Sequence, residues 1–184
     1  MAFPILETKR LKLIELKHHH MNVVYEILSL EDVTRYYGTS PFTLPAEATR
    51  LIDIFHKNYL DKRGIRWGIK LKENQRLIGT VGLNVLNLKN KRAEIGYELH
   101  PSVWGNGFAE ESVSEVIRFS FQKLDLHRIG AVVYPENTAS LALLDKLGFT
   151  NEGLLRGYMY QDEQYHDSFM LSILKTEWEK SQDV

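Results

Sequence analysis

The chain contains no cysteine, which removes disulfides, thiolate metal sites and a cysteine nucleophile together. It also lacks a charge imbalance. Its 23 Lys and Arg against 24 Asp and Glu leave a formal net charge of -1, so nothing predicts a binder of nucleic acid or of a membrane surface. No apolar run reaches the roughly 20 residues needed to span a bilayer. The opening MAFPILETKRLKLIEL has no continuous apolar core of a signal peptide, so a cytoplasmic protein is expected. Neither GK[ST] nor G-x-S-x-G occurs, which leaves a P-loop hydrolase and a serine-hydrolase elbow unsupported. There is no Pro/Gly/Ser-rich linker, repeat or low-complexity tract, and 184 residues read as one domain over 1–184.

What is present alternates between two periods. KRLKLIEL (9–16) reads as a half-buried strand, Val23 to Leu30 as a helix, and Ala46 to Leu60 as a helix with an apolar face at Leu51, Ile52, Ile54, Phe55 and Tyr59. RWGIKLK (66–72) and RLIGTVGLNVL (76–86) predict a hairpin, and AEIGYEL (93–99) a third strand. In that strand Ala93, Ile95, Tyr97 and Leu99 face one way, and Glu94, Gly96 and Glu98 the other. A helix with Ala109, Val113, Val116, Ile117, Phe121 and Leu124 on one stripe leads to RIGAVVY (128–134), a buried strand. A short helix over 138–147 is bracketed by Asn137 as N-cap and Gly148 as its stop. The tail predicts two more strands around a turn near Gln161 to Gln164. The fold class is therefore α/β with a mixed sheet, not a uniform βαβ array.

The stretch VWGNGFAEES places Gly105 and Gly107 at the doorstep of a helix. Helix N-termini expose unpaired N–H groups and partial positive charge, so a slim loop there can hold a phosphate without a basic side chain. Read alone, the stretch supports a plain turn equally well. Glu110 and Glu111 suit the helix dipole but would repel a phosphate placed on their side. A dinucleotide fold would want a third glycine near Ser112 and parallel strands upstream, and neither is offered. A second constellation, PENTASLALLDKLGF (135–149), places Asn137 and Ser140 just after a buried strand.

Together these stretches resemble the GNAT superfamily of acetyl-CoA-dependent N-acetyltransferases. WGNGFA (104–109) stands in its Q/R-x-x-G-x-G/A motif, with Trp104 in place of Gln/Arg, and NTAS…GF in its second. EIGYELHPSVWGNGFAEE, NTASLALLDKLGF, EGLLRGY and YHDSFMLSILKTEW look like the branch of Rim-type acetyltransferases of ribosomal-protein N-termini. The likeness runs from about Leu6 to Trp178. It implies a mostly antiparallel central sheet flanked by helices, with a splayed strand pair forming the cofactor slot. It implies that the backbone of Trp104, Gly105, Asn106, Gly107, Phe108 and Ala109 holds the coenzyme A pyrophosphate, that Leu99 pairs with the pantetheine arm, and that Asn137 bonds to it. The acceptor is then an amine, a protein N-terminus before a small amine such as a polyamine, an antibiotic or an amino acid. A homodimer is also expected.

The tyrosine that protonates the departing sulfur in many such enzymes falls here on Leu144, so Ser140, which matches the branch's serine, is the candidate acid. Glu98 is the first candidate base and Glu94 the second. A non-catalytic acyl-CoA binder and an NAD(P)-dependent oxidoreductase stand as alternatives. Consecutive His18, His19 and His20 on a helix cannot converge on one metal. His166 and Asp167 lack a nucleophile elbow. Trp67, Tyr36, Tyr37 and Tyr158 are candidates to line an acceptor pocket, with core or rim packing the first expectation for each.

Overall fold

The computed structural model describes residues 2–182. The chain runs β1 (Leu6–Glu7), β2 (Leu11–Glu15), α1 (Met21–Leu28), α2 (Glu31–Thr34), α3 (Pro45–Leu60), β3 (Ile65–Leu71), β4 (Leu77–Asn87) and β5 (Arg92–Leu99). It continues with α4 (Phe108–Gln122), β6 (Arg128–Val133), α5 (Thr138–Lys146), β7 (Thr150–Gln161), β8 (Gln164–Leu174) and α6 (Lys175–Gln182). The strands form one 8-stranded sheet in the order β1-β2-β3-β4-β5-β6-β8-β7. Every neighbouring pair is antiparallel except β5 and β6.

The meander β3–β4–β5 is the one the alternating patterns predict. The two-residue β1 was not foreseen, being too short to show a period. The first helix begins at Met21 and ends at Leu28, and the short α2 follows it.

Adjacent residues of β4 show how the sheet divides its side chains. Ile78 joins a core with Trp67, Val113, Val116, Ile117 and Phe121, under α4. Leu77 joins a second core with Val24, Ile27 and Leu28 of α1 and Ala48 and Ile52 of α3. Successive strand residues point to opposite faces, so the helices cover both sides of the sheet. Trp67 is fully buried, packs edge-on to Phe119 with centroids 5.6 Å apart, and donates its indole N–H to the Pro4 carbonyl at 2.7 Å. It is core, as the sequence suggests.

The parallel pair decides where a site can form. β5 and β6 pair only through Arg92–Arg128, Ala93–Ile129 and Glu94–Gly130. Beyond that rung β5 stays with β4, to Leu99 opposite Gly79. β6 stays with β8, to Val133 opposite Phe169. The two strands thus open into a fork. The N–H of His100 donates to the Ile78 carbonyl. Because hydrogen-bonding direction alternates along a strand, the backbone groups of Tyr97 and Leu99 turn away from β4, into the fork.

Candidate active site

The loop after β5 is shaped by two left-handed glycines, Gly105 at φ +74° and Gly107 at φ +76°, the latter capping α4. A Cβ added at Gly105 would meet nothing within 4 Å, so this position faces open space. Phe108 and Ala109 begin the helix, whose first amide groups lack intrahelical partners.

The two acidic residues of that first turn are both neutralised. Glu111 accepts hydrogen bonds from Thr8 Oγ1 at 2.6 Å, from the Arg10 N–H at 2.8 Å and from Arg10 Nε at 2.6 Å. Burial pushes its carboxyl up, but these bonds outweigh burial and hold it below the ordinary range. Glu110 pairs with Lys146 of α5 at 2.7 Å. Arg10 also donates to the Asn106 carbonyl at 2.9 Å and lies over the Phe108 ring at 4.4 Å. The repulsion expected of these acids toward a phosphate is thereby removed. Arg10, which the sequence analysis passed over, sits under the turn from 96 residues away.

Trp104 donates its indole N–H to the Leu99 carbonyl at 2.8 Å. One of the two Leu99 groups turned into the fork is therefore engaged by the loop itself. That bond ties the departing Trp104 to the strand end, in the place where the general motif has Gln or Arg.

Two chambers meet at the fork. The first, about 480 Å³, is lined by Leu99, Gly105, Gly107, Ala109 and Leu143 among others. The second, about 490 Å³, passes between the strands and is lined by Phe55, Arg66, Glu94, Gly96, Tyr134 and Tyr158 among others. Tyr36, Tyr37, Tyr97, Asn137 and Ser140 line both. Tyr37 packs against the second core and Tyr36 against the Tyr134 ring, and with Tyr158 these rings also wall the cavities.

Asn137 caps α5, its Oδ1 accepting from the Ser140 N–H at 3.2 Å. Its amide nitrogen makes no hydrogen bond among the described residues. Ser140 stands next to Tyr97, whose hydroxyl is buried and has no hydrogen-bond partner among the described residues. Burial raises the Tyr97 phenol and the proximity of Ser140 lowers it in part. A tyrosine on the core-facing side of AEIGYEL was the available signal: its ring can be buried there, but its hydroxyl must find a partner.

The carboxylates divide unexpectedly. Glu98 is 6% exposed and already bound by the Arg66 guanidinium and the Thr80 hydroxyl. Arg66 also donates to Thr80 Oγ1 at 2.7 Å and to the Gly96 carbonyl at 3.0 Å. Burial pushes the Glu98 carboxyl up, and Arg66 and Thr80 pull it back only in part. Glu98 is thus the acidic member of a buried ion pair, at the wall of the first chamber. Glu94 is half-buried and faces the second chamber without a hydrogen bond or ion pair among the described residues. Burial raises it against the opposing pull of Arg92 and Arg128. Leu144 is fully buried, with no hydroxyl to offer.

Gln161 holds the tyrosine wall in place. Its Oε1 accepts from Tyr134 Oη at 2.8 Å and from the Gly38 N–H at 3.1 Å, and its Nε2 donates to the carbonyls of Thr34 at 3.1 Å and Thr39 at 3.2 Å. Gln161→Leu leaves these buried groups unpaired and is expected to cost about 1–3 kcal/mol. Urea melts read the loss, and faster amide exchange at Gly38 shows whether the segment carrying Tyr36 and Tyr37 loosens. His166 lies 3.2 Å from the Gln161 carbonyl, and Asp167 accepts from the Gly157 N–H at 2.7 Å, both structural bonds.

A family model described as an acetyltransferase (GNAT) domain matches residues 10–150. The chain is 46% identical over 173 residues to "Uncharacterized N-acetyltransferase YoaA" of Bacillus subtilis, covering 94% of this chain and 98% of that one. It is 29% identical to "Putative ribosomal N-acetyltransferase YdaF" of the same organism, over 78% of each. The fold matches a spermidine N-acetyltransferase from Vibrio cholerae, solved with CoA and spermine. That match has a TM-score of 0.81 at 24% identity and covers 93% of this chain and 99% of that one.

Proposed function

This chain belongs to the GNAT acetyltransferase family, and on that premise we propose that it carries an acetyl group from acetyl-CoA to the α-amine of a polypeptide. The observation that carries this reading is the pair of chambers meeting at one point through a forked sheet, with a separate approach for donor and acceptor. An oxidoreductase of the dinucleotide-binding class loses its support, since β5 and β6 are the one parallel pair among the described strands.

The first chamber fits coenzyme A. Gly105 opens it with no Cβ, the α4 amides supply donors, and Glu110 and Glu111 are already paired. The backbone of Gly105 to Ala109 holds the pyrophosphate in this reading, with Trp104 fixing the loop. The free backbone group of Leu99 and the Asn137 amide hold the arm that lies in the fork. Acetyl-CoA when bound supplies an acyl group activated as a thioester, with a thiolate as leaving group.

Proton transfer falls to three side chains at the junction. Ser140 Oγ holds the proton for the leaving side, and the otherwise unpartnered Tyr97 Oη stands beside it to return one. Glu94, facing the second chamber, takes the proton from the amine. Its raised carboxyl suits a base working near neutral pH. Support for a polypeptide acceptor comes from the chamber rim, where exposed Tyr158 is followed along the β7–β8 hairpin by Tyr160 and Tyr165, rings 5.0 Å apart. A small amine is the second reading, favoured by the 490 Å³ of the second chamber itself.

Calorimetry with acetyl-CoA, and with NAD as control, tests the donor site, and release of free thiol in the presence of peptides or spermidine tests the acceptor. Ser140→Ala and Tyr97→Phe are each expected to lower kcat by about 10–100-fold with acetyl-CoA affinity kept. Glu94→Gln is expected to remove the acidic limb of the pH–rate profile. That limb rises with pH because the base works ionised, and it lies above the ordinary carboxylate range because burial raises Glu94. An unchanged limb in Glu94→Gln refutes the assignment of the base.

A further inference from the structure

The second chamber says more about the acceptor than that it is an amine. Among the residues lining it, Arg66 and Glu94 carry the formal charges, and Lys and His are absent from that lining. Arg66 is spent: its three nitrogens bind Thr80, the Gly96 carbonyl and Glu98, and its charge is balanced by Glu98. Glu94 remains as the one lining charge without an ion pair among the described residues, and it is negative. The surrounding cations are held outside. Arg128 is engaged by Glu152 and Ser172, Arg35 lines the first chamber and pairs with Asp32 at 3.1 Å, and Arg92 is exposed on the surface. The remaining wall is largely aromatic, from Tyr36, Tyr37, Phe55, Tyr134 and Tyr158.

We infer that the acceptor is an amine with an aromatic or apolar flank and no carboxylate on the amine-bearing carbon, so that free α-amino acids are excluded as substrates. The inference rests on the acetyl-transfer reading and narrows its acceptor. An ammonium entering the chamber gains Glu94 as counter-charge and a largely aromatic lining. A free amino acid brings a carboxylate into the same partly dry space. That carboxylate finds no available cation and stands beside a second anion, so it gives up its hydration without compensation. Removing the carboxylate, by amidation or by a peptide bond, removes the penalty and leaves the amine and its flank unchanged.

Three probes with one side group make the test: 2-phenylethylamine, phenylalaninamide and phenylalanine. Each is titrated calorimetrically into the protein saturated with CoA, and each is assayed for thiol release with acetyl-CoA. The amine and the amide are expected to bind and react, and phenylalanine to fall below them by at least about 100-fold in both readouts. Met159→Lys places a cation in the chamber wall and is expected to narrow that ratio to about tenfold or less by recovering phenylalanine. Phenylalanine within tenfold of its amide in the unaltered protein overturns the inference. So does a failure of all three probes to bind a protein that binds acetyl-CoA. A failure to bind acetyl-CoA instead overturns the acetyl-transfer reading, and the two failures are told apart by that one titration.

Discussion

Acetyl-CoA affinity is expected to fall at least about 100-fold in Gly105→Val, and calorimetric titration reads this directly. Two effects of the substitution separate cleanly. The left-handed conformation at φ +74° strains a β-branched residue by about 1–3 kcal/mol, and this alone should lower the melting temperature by several degrees. The added side chain meets no protein atom within 4 Å of its Cβ, so the fold has no steric reason to fail. What the side chain does fill is the mouth of the first chamber, where the α4 amides are exposed. Loss of binding with a folded, modestly destabilised protein supports the cradle. Unchanged affinity places the phosphates elsewhere. Gly107→Val is the harsher partner, because its Cβ also lies 3.4 Å from the Arg10 guanidinium that props the turn.

Arg66→Met is expected to give the largest stability loss, about 3–5 kcal/mol, because it leaves the Glu98 carboxylate buried without its counter-charge. For a chain of this length that corresponds to roughly 6–20 °C in melting temperature. The pH dependence follows from the sign of the shift. Glu98 is raised above its ordinary 4.5 by burial even with Arg66 present, and losing the cation raises it further. A raised carboxyl favours the folded state only while protonated. The deficit is therefore full above the raised folded value and shrinks as pH falls through it toward 4.5. The double substitution Arg66→Met with Glu98→Leu should recover much of the loss, since both members of the pair are then apolar. A small loss in the single variant, flat with pH, shows that water reaches Glu98 and that the pair is not buried in solution.

Much of the molecule was legible beforehand, and in each case the signal was local. The alternation of AEIGYEL was a strand because one face of β5 is core, from Ala93 to Leu99. The loop glycines adopt the positive φ that only glycine takes without strain. Asn137 caps α5, which follows from a side-chain acceptor placed three residues before an unpaired N–H. Helix stripes, hairpin turns and caps are short-range events, and composition and spacing report them. The antiparallel meander upstream also showed that a dinucleotide fold was the wrong frame.

The division of labour among the polar groups was decided elsewhere. Glu98 and Glu94 lie on one face of one strand, and the sequence offers no reason to prefer the second. The choice was made by Arg66, 32 residues from Glu98, which the register of β3, β4 and β5 delivers to Glu98 and not to Glu94. Arg10 reaches the loop before α4 across 96 residues, and Gln161 reaches the tyrosine segment across 127. Tyr97 gained its meaning only from the fork, which leaves its hydroxyl among cavity walls instead of under a neighbouring strand. The sequence by itself determined the backbone geometry of the site, because torsional preference and periodicity belong to neighbouring residues. Only the tertiary structure decided which charge is spent and which is free, because desolvation and ion pairing depend on what the fold packs alongside.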